Sequence, residues 1–252
     1  MHKRRQILSL ALTVPLATAL LPGAAQAWNF ASGGGPRVDG SGKLIDEPRT
    51  LAPFSRIRID DSLDVQAKPG SSQSVVVQAD DNLAPLVLTT VEGETLVLRF
   101  KPGVSIRSAG SVRVQVQFTE LKGVELRGSG DLAIDGLQGE SLDLGLSGSG
   151  DVRLRGADVG KLSANLAGSG NVALQGRCKD FSLSIAGSGD VRAGELQCKS
   201  AQVSIAGSGD ARVHASESLA VQIAGSGDVS YSGNPPKVTS RVAGSGELHS
   251  TR

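Results

Sequence analysis

The triplet Gly-Ser-Gly recurs seven times in the C-terminal half of the chain at nearly constant spacing. The copies begin at Gly128, Gly148, Gly168, Gly187, Gly207, Gly225 and Gly244, so successive copies lie 18 to 20 residues apart. A fixed period of about 20 residues that lacks helix-forming sequence is typical of a β-solenoid, in which each repeat makes one coil. The repeat therefore constrains the architecture of the chain much more strongly than its activity.

Apolar and polar residues alternate within each repeat, as they do in β-strands. Leu142, Leu144 and Leu146 share one parity before the triplet at Gly148, and Val152 and Leu154 resume inward pointing after it. The pattern predicts an all-β fold, specifically a right-handed parallel β-helix with about 20 residues per coil. Apolar residues in mid-repeat indicate a third, short inward side, at Leu137, Val159 and Leu196.

The segment before the repeats has a different organisation. Strand-like runs at 63–67 and 75–79 flank a turn at 69–72, and a second pair at 86–91 and 96–100 flanks Glu92-Gly93-Glu94. These predict hairpins in an antiparallel or irregular β cap over residues 53–110, which protects the first coil. The repeat helix is predicted over 111–252, with 53–250 as one continuous domain, and residues 28–52 as an extended lead-in.

Residues 1–27 are predicted to be a signal peptide. Lys3, Arg4 and Arg5 precede an apolar run, and Ala25-Gln26-Ala27 fits a small-x-small cleavage site after Ala27. We expect cleavage and not a retained membrane anchor, because the apolar run is short and is interrupted by Pro15. The mature chain is then exported, to the periplasm or the cell surface, without stable membrane insertion.

Composition and charge exclude some classes of partner. The chain carries 26 Lys+Arg and 25 Asp+Glu, and loss of residues 1–27 removes three of the basic residues and none of the acids. A mature chain that is near neutral, without a basic block, gives no electrostatic basis for binding nucleic acid or an anionic membrane. Aromatic residues make up only 3% of the sequence, so the core must consist of aliphatic side chains.

An acid or its amide follows every triplet. Stacked carboxylates repel one another, and calcium accepts carboxylate oxygens in flexible geometry, so this column is a candidate for a calcium site. The column also has a structural interpretation, since Asp side chains satisfy free backbone N–H groups at turns. No other metal or cofactor is expected, and the candidate metal ligands are Asp131, Asp151, Asp190, Asp210 and Asp228.

The triplets do not match catalytic motifs. A phosphate-binding loop needs Gly-Lys-Ser/Thr at the start of a helix, and a nucleophile elbow needs a histidine partner for its serine. Beyond residue 27 the chain has only His214 and His249, too few for seven serines. Glycan-cleaving β-helices carry long loops beside a cleft, whereas these repeats vary by at most two residues in length. We therefore predict no catalytic residues.

Cys178 and Cys198 are the only two cysteines, and each lies nine residues before the next triplet. Equal register places them above one another on adjacent coils, at a Cα separation that a disulfide tolerates. In an oxidising, exported setting we expect a disulfide, with a reduced, packed pair as the alternative.

Several segments resemble a known bacterial family. They are Phe54-x-x-Ile57-x-Ile59, Leu63-Asp64-Val65-Gln66, Asp81-Asn82-Leu83 and the repeated Ala-Gly-Ser-Gly-Asp, as at Ala186–Asp190. Together they resemble the putative auto-transporter adhesin head domain, or GIN domain, formerly a domain of unknown function, over about residues 53–250. The resemblance implies a β-helical exported domain with an adhesin-like role.

The leading functional hypothesis is a non-enzymatic, exported β-helix that offers a binding or structural surface in the cell envelope. Its expected partner is an envelope or surface ligand, glycan or protein, bound on the flat Ser/Asp ladder faces, and self-association into a homo-oligomer is a further possibility. The alternative is a carbohydrate-binding or carbohydrate-active protein that depends on a divalent cation, calcium.

Overall fold

The fold is a parallel β-solenoid, seen in a computed structural model that describes residues 37–107 and 112–251. The predicted signal peptide, with its cleavage site at Ala27, lies outside the described residues. No helix in the described ranges is long and apolar enough to cross a membrane.

The strands are β1 (Arg37–Asp39), β2 (Leu44–Arg49), β3 (Arg56–Asp60), β4 (Asp64–Pro69), β5 (Ser74–Asp80), β6 (Val87–Glu92), β7 (Thr95–Phe100), β8 (Ser105–Arg107), β9 (Arg113–Phe118), β10 (Gly123–Gly128), β11 (Leu132–Asp135), β12 (Gln138–Gly148), β13 (Asp151–Gly168), β14 (Asn171–Gly187), β15 (Val191–Gly207), β16 (Ala211–Gly225), β17 (Val229–Ser232), β18 (Lys237–Gly244) and β19 (Leu248–Ser250).

The regular coils stack in parallel and in register. Strands β13 to β16 are 15 to 18 residues long and follow most of a coil each, bending at the corners. The triplets align vertically, since Gly148 pairs with Gly168, Gly168 with Gly187, and Gly187 with Gly207. The β-solenoid predicted from the repeat period is therefore confirmed.

Each coil has three sides that face one aliphatic core. In the coil of β13, the strand after the corner buries Val152 and Leu154, the short third side buries Ala157 and Val159, and the strand before the next corner buries Leu162, Ala164 and Leu166. Leu137, Val159 and Leu196, the residues that indicated a third side, are all buried. Because equivalent positions stack on one another, the core of the regular coils is a set of continuous columns, aliphatic except at Phe181 and the two cysteines.

The first coil begins earlier than the sequence predicts. Strand β3 pairs in parallel with β10, and β4 pairs in parallel with β11, so residues 56–69 form a coil and not part of an antiparallel cap. Asp61-Ser62-Leu63 stands where later coils have Gly-Ser-Gly, and the Ser62 and Ser129 hydroxyls lie 2.9 Å apart. The sequence does not reveal this coil because its corner lacks the glycines that mark the others.

The cap lies on the far side of that first coil. Strands β7 and β9 pair in parallel with β3 and β4, and β6 and β5 then pair antiparallel with β7 and β9. The predicted hairpin of β6 and β7 is confirmed, whereas the predicted pairing of β4 with β5 is wrong because β9 lies between them. Strand β2, within the expected lead-in, pairs antiparallel with β5 and adds an outer strand to the cap.

Candidate binding surface

The Gly-Ser-Gly corners are held by backbone hydrogen bonds between coils. In each corner from Ser149 onward the serine N–H donates to the carbonyl of the first glycine one coil earlier, at 2.9 to 3.0 Å. The first glycine has φ between 134° and 153°, and a Cβ there would overlap the backbone of the preceding corner. Glycine is thus required by both conformation and close approach. The serine side chains remain exposed at the corners.

The acids that follow the corners form one column, and their side chains bond to the backbone. Six aspartates each accept, through Oδ1, the N–H of the column residue one coil later, at 2.8 to 3.3 Å. The column contains all five candidate metal ligands together with residues that flank them. We call it the acid column: Asp64, Asp131, Asp151, Asn171, Asp190, Asp210, Asp228 and Glu247.

These contacts give the acid column a structural role. Each Oδ1 is directed at a backbone N–H, and Arg153 lies 3.4 Å from Asp151 and 3.6 Å from Asp131. Asn171 also donates its side-chain amide to Asp151 at 3.0 Å, so the amide interrupts the run of like charges. Within the described ranges no three His, Cys, Asp or Glu side chains converge as a metal site would require. Asp64 is a member that the sequence pattern did not reveal, because no glycine precedes it.

Basic residues stand beside the acid column on the same side of the solenoid. Arg192 and Arg212 are register partners on adjacent strands, each two residues after an acid of the column. A depression of about 260 Å³ runs between the two rows and reaches His249. This side is therefore densely charged, with both signs interspersed.

The side that precedes the corners is uncharged along four coils. Its outward side chains from residue 163 to 224 are small or amide-bearing, and they lie between the inward aliphatic residues of β13 to β16. We call this surface the neutral face: Ser163, Asn165, Ala167, Ser182, Ser184, Ala186, Gln202, Ser204, Ala206, Ala220, Gln222 and Ala224.

Two shallow grooves cross the neutral face. The larger, about 490 Å³, runs past Ser182, Gln202 and Ala220 and is bordered by Lys161 and Asp180. The smaller, about 270 Å³, lies between Gln202–Ser204, Ala220–Gln222 and the next strand, β18. Both open onto solvent, so an occupant would lie along the face and would not be enclosed.

Ion pairs mark the end of this side nearest the cap. Arg56 lies 3.2 Å from Asp143, and Arg58 bridges Asp60 and Glu92 at 3.4 and 3.2 Å. The hydrogen bonds from Arg127 to Glu125 raise the pKa of the Arg127 guanidinium further above its ordinary value. The charged groups here satisfy one another, which leaves the neutral face as the uncharged stretch.

The two cysteines, His214 and His249 each have a partner within the protein. Cys178 and Cys198 pair in register and form the predicted disulfide, with 4.6 Å between their Cα atoms. His214 Nδ1 lies 3.0 Å from the Ser232 hydroxyl, and His249 lies 3.2 Å from Glu247. Neither histidine contacts a corner serine in the described part of the chain.

Several solved structures share this architecture. A putative adhesin from Bacteroides fragilis NCTC 9343 superposes with a TM-score of 0.81 at 24% identity, covering 85% of this chain and 100% of that one. A putative lipid binding protein from Parabacteroides distasonis ATCC 8503 gives 0.70 at 25% identity, covering 86% and 100%. A putative adhesin from the same Parabacteroides strain gives 0.66 at 24% identity, with the same coverage.

The family comparison rests on sequence. No curated protein matches this chain. Residues 53–235 match the family described as "Putative auto-transporter adhesin, head GIN domain", a span that includes the first coil, the cap and most of the regular coils. The chain therefore belongs to the GIN-domain family of putative auto-transporter adhesin heads.

Proposed function

We propose that the chain is an exported, non-enzymatic, adhesin-like protein of the cell envelope that contacts its ligand through the neutral face. Family membership supports the adhesin-like, non-enzymatic character and an exported or surface location. The choice of surface rests on one observation, the absence of charge at all twelve outward positions of the neutral face.

A neutral, flat surface costs little to desolvate. Burying an unpaired charge is expensive, whereas Ser, Asn and Gln side chains exchange water for ligand hydrogen bonds at small net cost. On the side that carries the acid column, a ligand would have to displace water from Asp and Arg side chains, and each aspartate Oδ1 already bonds to a backbone N–H. The neutral face is therefore the surface on which an extended polar ligand can be bound most favourably.

Matched substitutions test this assignment. Ser204→Arg and Gln222→Arg place a guanidinium at the centre of the neutral face, and Gln66→Arg places the same group on the other side of the solenoid. Binding is measured on a glycan array and by co-sedimentation with purified bacterial envelope material. We expect the two neutral-face variants to lose at least about tenfold in affinity, which is about 1.4 kcal/mol, and Gln66→Arg to bind as the wild type does.

Equal binding by all three variants would contradict the choice of surface.

Mass spectrometry of the array glycans after incubation tests the non-enzymatic character, which requires that no cleavage product accumulates. Amino-terminal sequencing of the protein from cell fractions tests export, and the expected first residue is Trp28.

A further inference from the structure

The outer edge of β18 lacks a strand partner among residues 37–107 and 112–251. Strand β18 pairs with β16 through residues 237–244, and no strand in the described part of the chain bonds to the backbone N–H and C=O groups of its other edge. All eight of its residues are exposed. An open strand edge of this length is a template for pairing with another strand.

Apolar side chains accompany this open edge. Val238 and Val242 occupy inward columns of the core, directly after Leu219 and Ile223, yet they are 39% and 41% exposed. Only one other large hydrophobic residue in the described ranges, Leu44, is exposed. The aliphatic core therefore reaches the surface at β18 and requires a cover.

Ser240 breaks the central column of the core. Its equivalents one coil after another are Leu144, Ala164, Leu183, Val203 and Val221, all buried and apolar. A further coil stacked in the same direction would set an apolar side chain over the Ser240 hydroxyl. A hydroxyl group is better placed opposite another hydroxyl, to which it can both donate and accept.

We propose that the chain forms a two-fold symmetric dimer in which β18 pairs antiparallel with β18 of a second copy, centred on Ser240. In this register Ser240 faces Ser240 of the partner, and Val238 of each copy faces the partner's Val242. Thr239 faces Arg241, and Lys237 faces Ala243, so no two like charges stand directly opposite each other across the interface. An isologous contact of this kind closes after two subunits.

The opposite end of the molecule favours this closed arrangement over head-to-tail stacking. There the outer strand β2 runs antiparallel to β5 and contains Pro48, which has no N–H to donate. Strand β18 continues the side of the solenoid that carries the neutral face, and its outward Lys237 and Arg241 would form a basic band at the junction of the two copies. The dimer does not depend on the proposed function, since its test measures mass and not ligand binding.

The register is tested by light scattering after size exclusion. The wild-type chain is expected at twice the mass of one chain, and Ser240→Lys, which sets two ammonium groups on the axis, at the mass of one. Gln222→Lys on the adjacent coil is the control and stays dimeric. Val238→Lys alone and Val242→Glu alone weaken the dimer, whereas the double variant restores it, because each Lys then faces a Glu of the partner.

Three results would overturn the proposal. They are a wild-type monomer at every concentration, a dimer unaffected by Ser240→Lys, and filaments that lengthen with concentration, as head-to-tail stacking would give. Hydrogen exchange adds an independent readout: protected β18 amides in a monomer would mean that the chain covers its own edge. Circular dichroism of each variant confirms that changes in mass are not due to unfolding.

Discussion

Glycine at the first corner position allows the corners of adjacent coils to approach one another closely. Gly168, Gly187 and Gly207 lie directly over one another, and a Cβ on any of them would overlap the carbonyl group beneath it. Their φ values lie in the region that L side chains rarely adopt. Asp61 occupies the same corner position in the first coil with φ of 73°. The cap gives that coil no stacked corner below, so a side chain fits there.

Replacing Gly187 by Ala should therefore destabilise the solenoid. We expect a loss of about 3 kcal/mol in the free energy of unfolding, from backbone strain and from overlap with Gly168. Gly145→Ala is the control, because a Cβ there meets only ordinary contacts with Glu125 and its φ is not positive. Urea unfolding measures both, and equal stability of the two variants would contradict the account of the corner.

The acid column predicts different effects for removing a charge and removing an acceptor. Asp210 Oδ1 accepts the Asp228 N–H at 2.8 Å, and the Asp210 N–H donates to Asp190. Asp210→Asn keeps an acceptor and reduces repulsion in the column, so we expect stability close to the wild type. Asp210→Ala leaves the Asp228 N–H unpaired and should lower the free energy of unfolding by about 1 kcal/mol.

The same pair of variants tests the calcium hypothesis. A structural column should give melting temperatures that are the same in excess calcium chloride and in EDTA, for the wild type and for both variants. A calcium-dependent rise in Tm that disappears in Asp210→Asn would instead identify the carboxylates as metal ligands.

At the level of elements, the disulfide joins two adjacent coils through their third sides. It links β14 to β15 at register partners and closes a loop with a sequence separation of 20 residues. Both cysteines are buried in the common core. The disulfide therefore joins residues that the parallel ladder already holds together. It stabilises the fold mainly by restricting the conformations of the unfolded chain.

The double variant Cys178→Ala/Cys198→Ala should fold and be less stable. The chain-entropy model gives a loss of about 3 kcal/mol for a loop of this length. Differential scanning calorimetry measures the change, and alkylation of the wild-type chain before and after reduction counts its free thiols. Two alkylated cysteines without reductant would show that the bridge is absent.

The sequence reveals the elements that repeat and hides those that pair at long range. Periodic glycines and alternating aliphatic residues were enough to predict the coils from Gly128 onward, the third side and the disulfide. The coil of β3 and β4 carries no such signal, since Asp61 and Leu63 replace its corner glycines. Nothing local to β4 or β5 indicates that β9 lies between them, because β9 comes more than 30 residues later. The neutral face emerges only once register places outward residues of four coils side by side.

For the whole molecule, each coil contacts only the coils next to it. Stability in such arrays is approximately a sum of coil and neighbour terms, so a coil removed in register should be tolerated. The ladder supplies the register: Val152 pairs with Val172, and Asp151 with Asn171, one coil apart.

Deletion of residues 152–171 should give a folded, shorter solenoid. The deletion joins Asp151 to Val172, keeps the inward parity of both strands and leaves the disulfide intact. Deletion of residues 152–161 removes half a coil, destroys the register and is expected to prevent folding. Circular dichroism and urea unfolding distinguish the two, and similar behaviour of both deletions would contradict the account of stacked, independent coils.

The disulfide also determines how far the protein can lengthen under load. When the two ends of a solenoid are pulled apart, coils peel from its termini. The covalent bond holds the segment between Cys178 and Cys198, a separation of 20 residues, out of the extending chain and so withholds about 70 Å of contour length. Reduction releases that length, so a single redox event changes the length to which the chain can be stretched.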